Sequence, residues 1–127
     1  MLTVTDLRIV QTKVNAMPYK ADADRYGQPE FWETIGQEGG DCEDFALAKM
    51  RHLQAMGMPI SQMRLATCWC FPNHEGYHAV LLVDLNGTTW VLDNRYPLPM
   101  EWDLLPYEWH LLQRAGSQHW ELANEQA

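Results

Sequence analysis

Apolar residues recur along this chain at two periods, and each period predicts a different kind of element. From Leu7 to Met17 they fall three or four residues apart, which is typical of an amphipathic helix. The same spacing returns from Cys42 to Met56, where Gly57 followed by Pro59 supplies a helix stop. The pattern therefore predicts two helices in the first half of the chain.

The second half of the chain carries β-type patterns. Runs rich in Val and Leu, bounded by turn residues, predict antiparallel strands. The pair Asn86-Gly87 between two such runs is a strong hairpin signal. The predicted strands are Met63 to Phe71, Tyr77 to Leu85, Thr88 to Asp93 and Tyr107 to Leu112, with an extended loop over the sheet from Arg95 to Pro106.

The register of the hairpin brings two polar side chains together. A two-residue turn at Asn86-Gly87 makes Leu85 face Thr88. Counting back along both strands then puts His78 and Asp93 on one face as diagonal neighbours, with backbones about 7–8 Å apart. A turn longer by one residue would put the two side chains on opposite faces.

The segment Gly40 to Ala46, Gly-Asp-Cys-Glu-Asp-Phe-Ala, places a cysteine where the second helix is predicted to begin. Gly39-Gly40 predicts a break, Asp41 an N-cap, and Asp44 a capping-box-like partner. Cys42 would then lie in the first helical turn, where unpaired N–H groups and the helix dipole favour a thiolate. Its own N–H would be a natural oxyanion donor.

These three residues suit nucleophilic catalysis. Cys42 would be the nucleophile, His78 the base that takes its proton, and Asp93 the acid that fixes the imidazole tautomer. Each residue alone also has an ordinary structural interpretation: a small buried cysteine, a hydrogen-bonded core histidine, or an aspartate capping a turn. Their combination at a helix start and on a hairpin favours the catalytic interpretation.

The chain also resembles a known family, the bacterial transglutaminase-like cysteine peptidases of the LapG type. The resemblance implies Cys42, His78 and Asp93 as catalytic triad and an α+β, papain-like fold, with the cysteine helix packed on an antiparallel sheet. It covers roughly residues 15–94 and implies a peptidase that cleaves a protein or peptide through a thioester. The length of the chain predicts one such domain over residues 1–127. A transglutaminase or other amidotransferase would use the same triad. The matching stretches are residues 31–34, 40–49, 76–83 and 90–94.

The resemblance further implies calcium, because LapG-type members carry acidic residues beside the cysteine. The candidate ligands here are Asp41 and Glu43, with Asp22 and Asp24 as further candidates. Calcium takes six to eight oxygens, so these residues form a partial set. The ordinary alternative is that Asp41 caps the helix and the other acids are solvated. No other cofactor is predicted.

A zinc-binding function is the alternative, and it would use one of the same residues, His78. Cys68, Cys70, His74 and His78 could form a small zinc-binding module, although a Cys-x-Cys spacing is tighter than usual. Such a site would take His78 away from Cys42. Metal analysis separates the two interpretations.

Composition narrows the partners of the protein. A net charge of −8 over 127 residues argues against nucleic acid, which requires a basic surface. No apolar run reaches transmembrane length, and the amino terminus lacks the basic-then-apolar form of a signal peptide. The expectation is a cytoplasmic protein for the sequence as given, or a periplasmic one if a leader has been removed. Three cysteines, an odd number, do not predict a disulfide framework.

Overall fold

A computed structural model describes residues 2–16, 37–71, 75–114 and 120–123 of the chain. Within these residues, two helices are followed by six strands and two short 3-10 helices. The helices are α1 (Val4–Asn15) and α2 (Gln37–Ala55). The strands are β1 (Met63–Phe71), β2 (Glu75–Leu85), β3 (Thr88–Leu92), β4 (Met100–Glu101), β5 (Glu108–Gln113) and β6 (Trp120–Leu122), and the 3-10 helices span Ile60–Gln62 and Trp102–Leu104.

All six strands form one antiparallel sheet in the order β4-β3-β2-β1-β5-β6. On one face, α2 packs on β2 and α1 packs on α2. Their apolar side chains and the inward residues of the strands form the larger core cluster. On the other face, the segment that follows β3 returns over the sheet and buries Leu105 and Tyr107 against β1, β2 and β3. The predicted α+β class is confirmed. The segment from Arg95 to Pro106 lies over the sheet as predicted, but it is not only an extended loop, because it contains β4 and the 3-10 helix Trp102–Leu104.

The β2–β3 hairpin has the predicted register. Asn86 and Gly87 have φ values of 52° and 82°, the left-handed values that a tight two-residue hairpin turn requires. Leu85 pairs with Thr88, and the ladder continues to Leu81 opposite Leu92. Because side chains alternate across a strand, this register fixes which residues of β2 share a face with the residue that follows β3.

The end of α2 is also as predicted. Gly57 has a φ of +103°, and its N–H donates to the Gln54 carbonyl at 3.0 Å. The Met58 N–H donates to the Leu53 carbonyl at 3.0 Å, which completes a Schellman motif. The glycine conformation therefore ends the helix and turns the chain toward β1.

The start of α2 was predicted wrongly. The helix begins at Gln37, so Gly39 and Gly40 lie inside it, Asp41 is not its N-cap, and Cys42 lies beyond its first turn. Glycine lowers helix propensity by about 1 kcal/mol relative to alanine, which does not forbid a helix whose later turns are well packed. Ala46 and Leu53, both buried, are among the residues that anchor α2 on the sheet.

Helix α1 begins earlier than predicted, at Val4 rather than Leu7, and ends at Asn15 rather than Met17. The Thr3 N–H donates to the Asp6 carboxylate at 2.7 Å, a capping interaction that precedes the first apolar residue of the pattern. The predicted apolar face is confirmed, since Leu7, Val10 and Val14 are buried. No described helix is both long and apolar enough to cross a bilayer.

Candidate active site

His78 and Asp93 form a buried pair. His78 Nε2 lies 2.6 Å from Asp93 Oδ1, and the two residues are 7% and 1% exposed. The hairpin register explains the contact: Leu81 faces Leu92, so Asp93 follows opposite Val80 and shares a face with His78. The predicted diagonal contact between these side chains is therefore present.

Asp93 accepts hydrogen bonds on both of its carboxylate oxygens. Besides His78, the Arg95 N–H donates to Oδ1 at 2.8 Å, and the Tyr107 hydroxyl donates a short hydrogen bond to Oδ2. Burial alone would raise the pKa of Asp93, but the hydrogen bonds and charge of His78, together with the donors from Tyr107 and Arg95, lower it below its usual value. Asp93 is therefore an ionised acceptor at neutral pH.

An ionised Asp93 fixes the state of the imidazole. A carboxylate can only accept, so Nε2 of His78 must carry a proton, and Nδ1 is the nitrogen left for Cys42. Burial alone lowers the pKa of His78, but the hydrogen bonds and charges of Asp93 and Cys42 outweigh it and raise the pKa to about 10. The ring can thus hold a second proton at neutral pH beside the sulfur.

Cys42 reaches this pair from the helix side of the sheet. It is 2% exposed, and its Sγ lies 3.2 Å from the main-chain N of Ala79, the residue after His78. The Cys42 N–H is not the free donor of a helix start, because it is the sixth residue of α2 and is placed to pair with the carbonyl four residues back. The prediction that Cys42 lies at the helix start and offers a free N–H as oxyanion donor is therefore wrong.

Helix α1 holds the turn that carries Asp93. Gln11 Nε2 donates to the main-chain carbonyls of Asp93 at 2.7 Å and of Tyr96 at 2.9 Å, and Asn15 Nδ2 donates to the Tyr96 carbonyl at 3.0 Å. Gln11 is fully buried. Gln11 is a polar residue on the apolar face of α1, which was a signal in the sequence. Its partners lie some eighty residues away, so the sequence pattern alone does not reveal its role.

Lys49 is a second buried polar residue that the sequence analysis missed. It lies on α2, is fully buried, and its Nζ makes no hydrogen bond within the described part of the chain. Burial lowers the pKa of Lys49 to about 7, opposed by the attraction of Asp93. A lysine seven residues after Cys42 falls two turns along the same side of the helix, which was the signal available in the sequence.

The other two cysteines share a face with His78. Cys68 pairs with His78 across β1 and β2, and Cys70 is two residues further along the same strand. All three cysteines of the chain are described, and all are thiols. The Cys68 hydrogen bond lowers the pKa of Cys70 to about 6, against burial and with help from the charges of His78 and Arg95.

Neither predicted metal site can be built from the described residues. His74, Asp22 and Asp24 and the side chains of Asp41 and Glu43 lie outside the described part of the chain. Within that part, no group of three or more His, Cys, Asp or Glu side chains has an arrangement that could hold a metal ion. His78, one of the four predicted zinc ligands, uses Nε2 for Asp93.

A helix bearing a buried cysteine, packed on an antiparallel sheet that bears a histidine–aspartate pair, defines an α+β fold of the transglutaminase-like cysteine peptidase class. Residues 2–127 match the family of bacterial transglutaminase-like cysteine proteinases, BTLCP. The chain belongs to this family and is a cysteine peptidase.

Solved structures of one member of the class share this fold. The calcium-bound form of Legionella pneumophila LapG is 24% identical, with a TM-score of 0.68 over 93% of this chain and 67% of that chain. Another structure of Legionella pneumophila LapG is 26% identical, with a TM-score of 0.67 over 93% of this chain and 67% of that one. The EGTA-treated form is 25% identical, with a TM-score of 0.68, and covers 95% and 67%. No curated protein sequence matches the chain.

Proposed function

We propose that Cys42, His78 and Asp93 are the catalytic triad of this peptidase and that it hydrolyses a peptide bond in a protein substrate. The observation that carries the proposal is the buried His78–Asp93 hydrogen bond of 2.6 Å next to a buried cysteine thiol. The raised pKa of His78, about 10, supports it, because an imidazolium is the counter-ion that a thiolate needs.

The first half of the reaction is acyl transfer to sulfur. The Cys42 proton moves to Nδ1 of His78, and the thiolate attacks the carbonyl carbon of the scissile peptide bond. The tetrahedral intermediate collapses as His78 gives that proton to the leaving amine, which departs with the C–N bonding electrons. Asp93 keeps the imidazole oriented and stabilises its charged form throughout.

The second half releases the acyl group. His78 accepts a proton from water while the water oxygen attacks the thioester, and collapse of the second intermediate restores the Cys42 sulfur and frees a carboxylic acid. An amine in place of water would give a new amide, which is transglutaminase chemistry. Both outcomes require the same triad. Product analysis with and without an added primary amine distinguishes them, and we expect hydrolysis.

The assignment of Cys42 can be tested before any substrate is known. Because Cys70 also has a lowered pKa, the test uses Cys70→Ser. In this variant iodoacetamide at neutral pH should alkylate Cys42 well before Cys68, and adding His78→Ala should alter the pH dependence of that alkylation. Peptide mass spectrometry reads out each site. Equal labelling of Cys42 and Cys68 in the folded protein, or an unchanged pH profile with His78→Ala, would overturn the assignment.

We further propose that the peptidase binds calcium beside Cys42. The support is chemical and comparative: Asp41 and Glu43 provide the carboxylate oxygens that Ca²⁺ prefers, and the LapG structures include calcium-bound and EGTA-treated forms. Asp44, the next acid along the helix, is a fully buried carboxylate. A bound cation would offset the negative charge of these residues, which flank Cys42 in the sequence.

Calcium binding has a readout independent of turnover. Millimolar Ca²⁺ should raise the melting temperature, EGTA should reverse the increase, and Mg²⁺ should substitute poorly because it requires a tighter octahedral cage. Glu43→Gln should weaken the response, and Glu108→Gln, on β5, is the control for loss of one carboxylate elsewhere. If titration calorimetry detects no heat of calcium binding, the protein does not bind calcium and this proposal is wrong.

A further inference from the structure

The N–H of Ala79 points toward a gap in the sheet. In an antiparallel ladder the hydrogen-bonded pairs alternate, and a two-residue turn makes Leu85 with Thr88 the first such pair. Every second residue of β2 then directs its N–H and carbonyl toward β3. Leu81 with Leu92 is the last pair of this ladder, so Ala79 is the next residue of β2 with its N–H on that side.

Strand β3 leaves the sheet before it reaches Ala79. The chain turns after Leu92, and the Tyr96 N–H closes the turn on the Asp93 carbonyl at 3.2 Å. Gln11 draws the carbonyls of Asp93 and Tyr96 toward α1. The Ala79 N–H instead donates to Cys42 Sγ at 3.2 Å, in a position where both residues are almost fully buried.

We propose that the main-chain N–H of Ala79 is a catalytic group of the peptidase: it holds Cys42 Sγ at the gap left by β3 and stabilises the negative charge that the sulfur gains when its proton passes to His78. This inference rests on the proposed role of Cys42 as nucleophile. The Ala79 N–H would thus be a main-chain donor to the reacting sulfur, in addition to the three side chains of the proposed triad.

The physical reason is the difference between a neutral and a charged acceptor. A hydrogen bond to a charged acceptor is about twice as strong as one to a neutral acceptor, so the Ala79 N–H binds the thiolate better than the thiol. Strand pairing with β1 fixes this N–H in place, so it does not have to reorganise as the charge appears. The sequence pattern predicted main-chain donors to the sulfur at the start of α2. In the structure the donor comes from the sheet instead.

The first test is an NMR titration of the 15N-labelled protein. The Ala79 amide proton should move downfield as Cys42 ionises, with the same midpoint as the pH dependence of Cys42 alkylation. In Cys42→Ala the resonance should no longer follow that midpoint. An Ala79 amide that stays unchanged through the Cys42 titration of the wild-type protein overturns the inference.

The second test replaces the N–H itself. Chemical ligation can install lactic acid at position 79, which changes the amide to an ester. The change removes this N–H and also weakens the preceding carbonyl as an acceptor, an effect that an ester at any position of β2 shares. An ester at Leu81 is the matched control, since it removes a β2–β3 ladder hydrogen bond two residues away. The ester at 79 should slow Cys42 alkylation at neutral pH by at least about tenfold, the effect of one hydrogen bond to a charged acceptor, and the ester at 81 should leave it near wild type.

The two proposals fail in different ways. If Cys42 is not alkylated ahead of Cys68 in Cys70→Ser, the proposed function fails. If Cys42 is alkylated selectively but the two esters have equal effects, the proposed function stands and the role of the Ala79 N–H is refuted.

Discussion

Asp93 depends on its hydrogen bonds to remain charged at its depth in the protein. It is 1% exposed, and a carboxylate without partners at that depth would be neutral rather than charged. His78, the Arg95 N–H and Tyr107 together supply donors to both oxygens. The Tyr107 ring also lies edge-on to the His78 ring, with centroids 6.4 Å apart, so it packs against the pair as well as donating to it.

Tyr107→Phe should therefore lower kcat while leaving KM almost unchanged. The ring still fills its place, but Oδ2 of Asp93 loses its donor and the carboxylate is less firmly oriented toward His78. We expect about a tenfold fall in kcat and about 1–3 kcal/mol in the free energy of unfolding. Steady-state kinetics and urea denaturation measure the two effects.

Tyr96→Phe is the matched control for this prediction, since Tyr96 packs against the same cluster and its side chain makes no hydrogen bond within the described residues. Its kcat should stay within about twofold of wild type, an energy difference below about 0.5 kcal/mol. Equal losses in Tyr96→Phe and Tyr107→Phe would mean that the Tyr107 hydroxyl has no part in orienting Asp93.

At the scale of elements, α1 and β3 together position Asp93. Strand β3 delivers Asp93 to the correct face of the sheet, and α1 holds the turn that follows through Gln11 and Asn15. The same turn opens the gap in which Ala79 meets Cys42. Helix α1 is thus connected by hydrogen bonds to the turn that carries Asp93, the acid of the proposed triad.

Gln11→Met tests this coupling. It keeps the length of the side chain but removes one of the donors to each of the carbonyls of Asp93 and Tyr96, which should cost about 1 kcal/mol in the free energy of unfolding. Gln62→Met is the matched control, because Gln62 Nε2 donates to the Asp84 carbonyl at 3.0 Å, at the other end of β2.

Both glutamine variants should lose stability, but Gln11→Met alone should slow Cys42 alkylation under conditions where the protein remains folded. Urea denaturation and mass spectrometry give the two measurements. Equal alkylation rates in the two variants would contradict a role for α1 in the site.

The helix stop at Gly57 gives a second prediction at this scale. Its φ of +103° is strained for a residue with a side chain, so Gly57→Ala should lower the free energy of unfolding by about 1 kcal/mol. Gly57→Asn should lose less, because asparagine tolerates the left-handed region better. Denaturation midpoints in urea measure both. Identical losses would show that backbone strain at this residue is not the cause.

At the scale of the whole molecule, two buried cations shape the response to pH. The pKa of Lys49 is about 7 in the folded protein, below its ordinary value of 10.5. Between these values the unfolded chain binds the additional proton, so this contribution to stability rises with pH. The pKa of His78 is about 10, above its ordinary 6.5, so its contribution is fully present below pH 6.5 and is lost as pH rises toward 10.

The two slopes oppose each other between about pH 7 and pH 10. Relative to wild type, Lys49→Met should make the slope of the free energy of unfolding against pH more negative in this range, by up to about 1.4 kcal/mol per pH unit. His78→Gln should change the slope in the opposite direction. Urea denaturation at several pH values measures both. Parallel profiles in the two variants would show that neither buried cation carries the assigned proton.

Much of the fold could be predicted because its signals are local. The strand Met63–Phe71 has the predicted bounds, and the Asn86-Gly87 turn set the register that joins His78 to Asp93. Turn chemistry and side-chain alternation act over a few residues, so the sequence contains them directly. The start of α2 was not predictable in this way, because packing of its later turns outweighs the local preference of Gly39 and Gly40.

The sequence by itself predicted the class of this protein, a cysteine peptidase, and the candidate residues for its chemistry: a cysteine, a histidine and an aspartate in an order and spacing that suit nucleophilic catalysis. Only the tertiary structure decided what surrounds them. Tyr107 on Asp93 Oδ2, Gln11 on the turn carbonyls and the Ala79 N–H on Cys42 Sγ are contacts between elements distant in sequence. Each arises where a buried polar group must find a partner, and the fold, not the local sequence, brings that partner within reach.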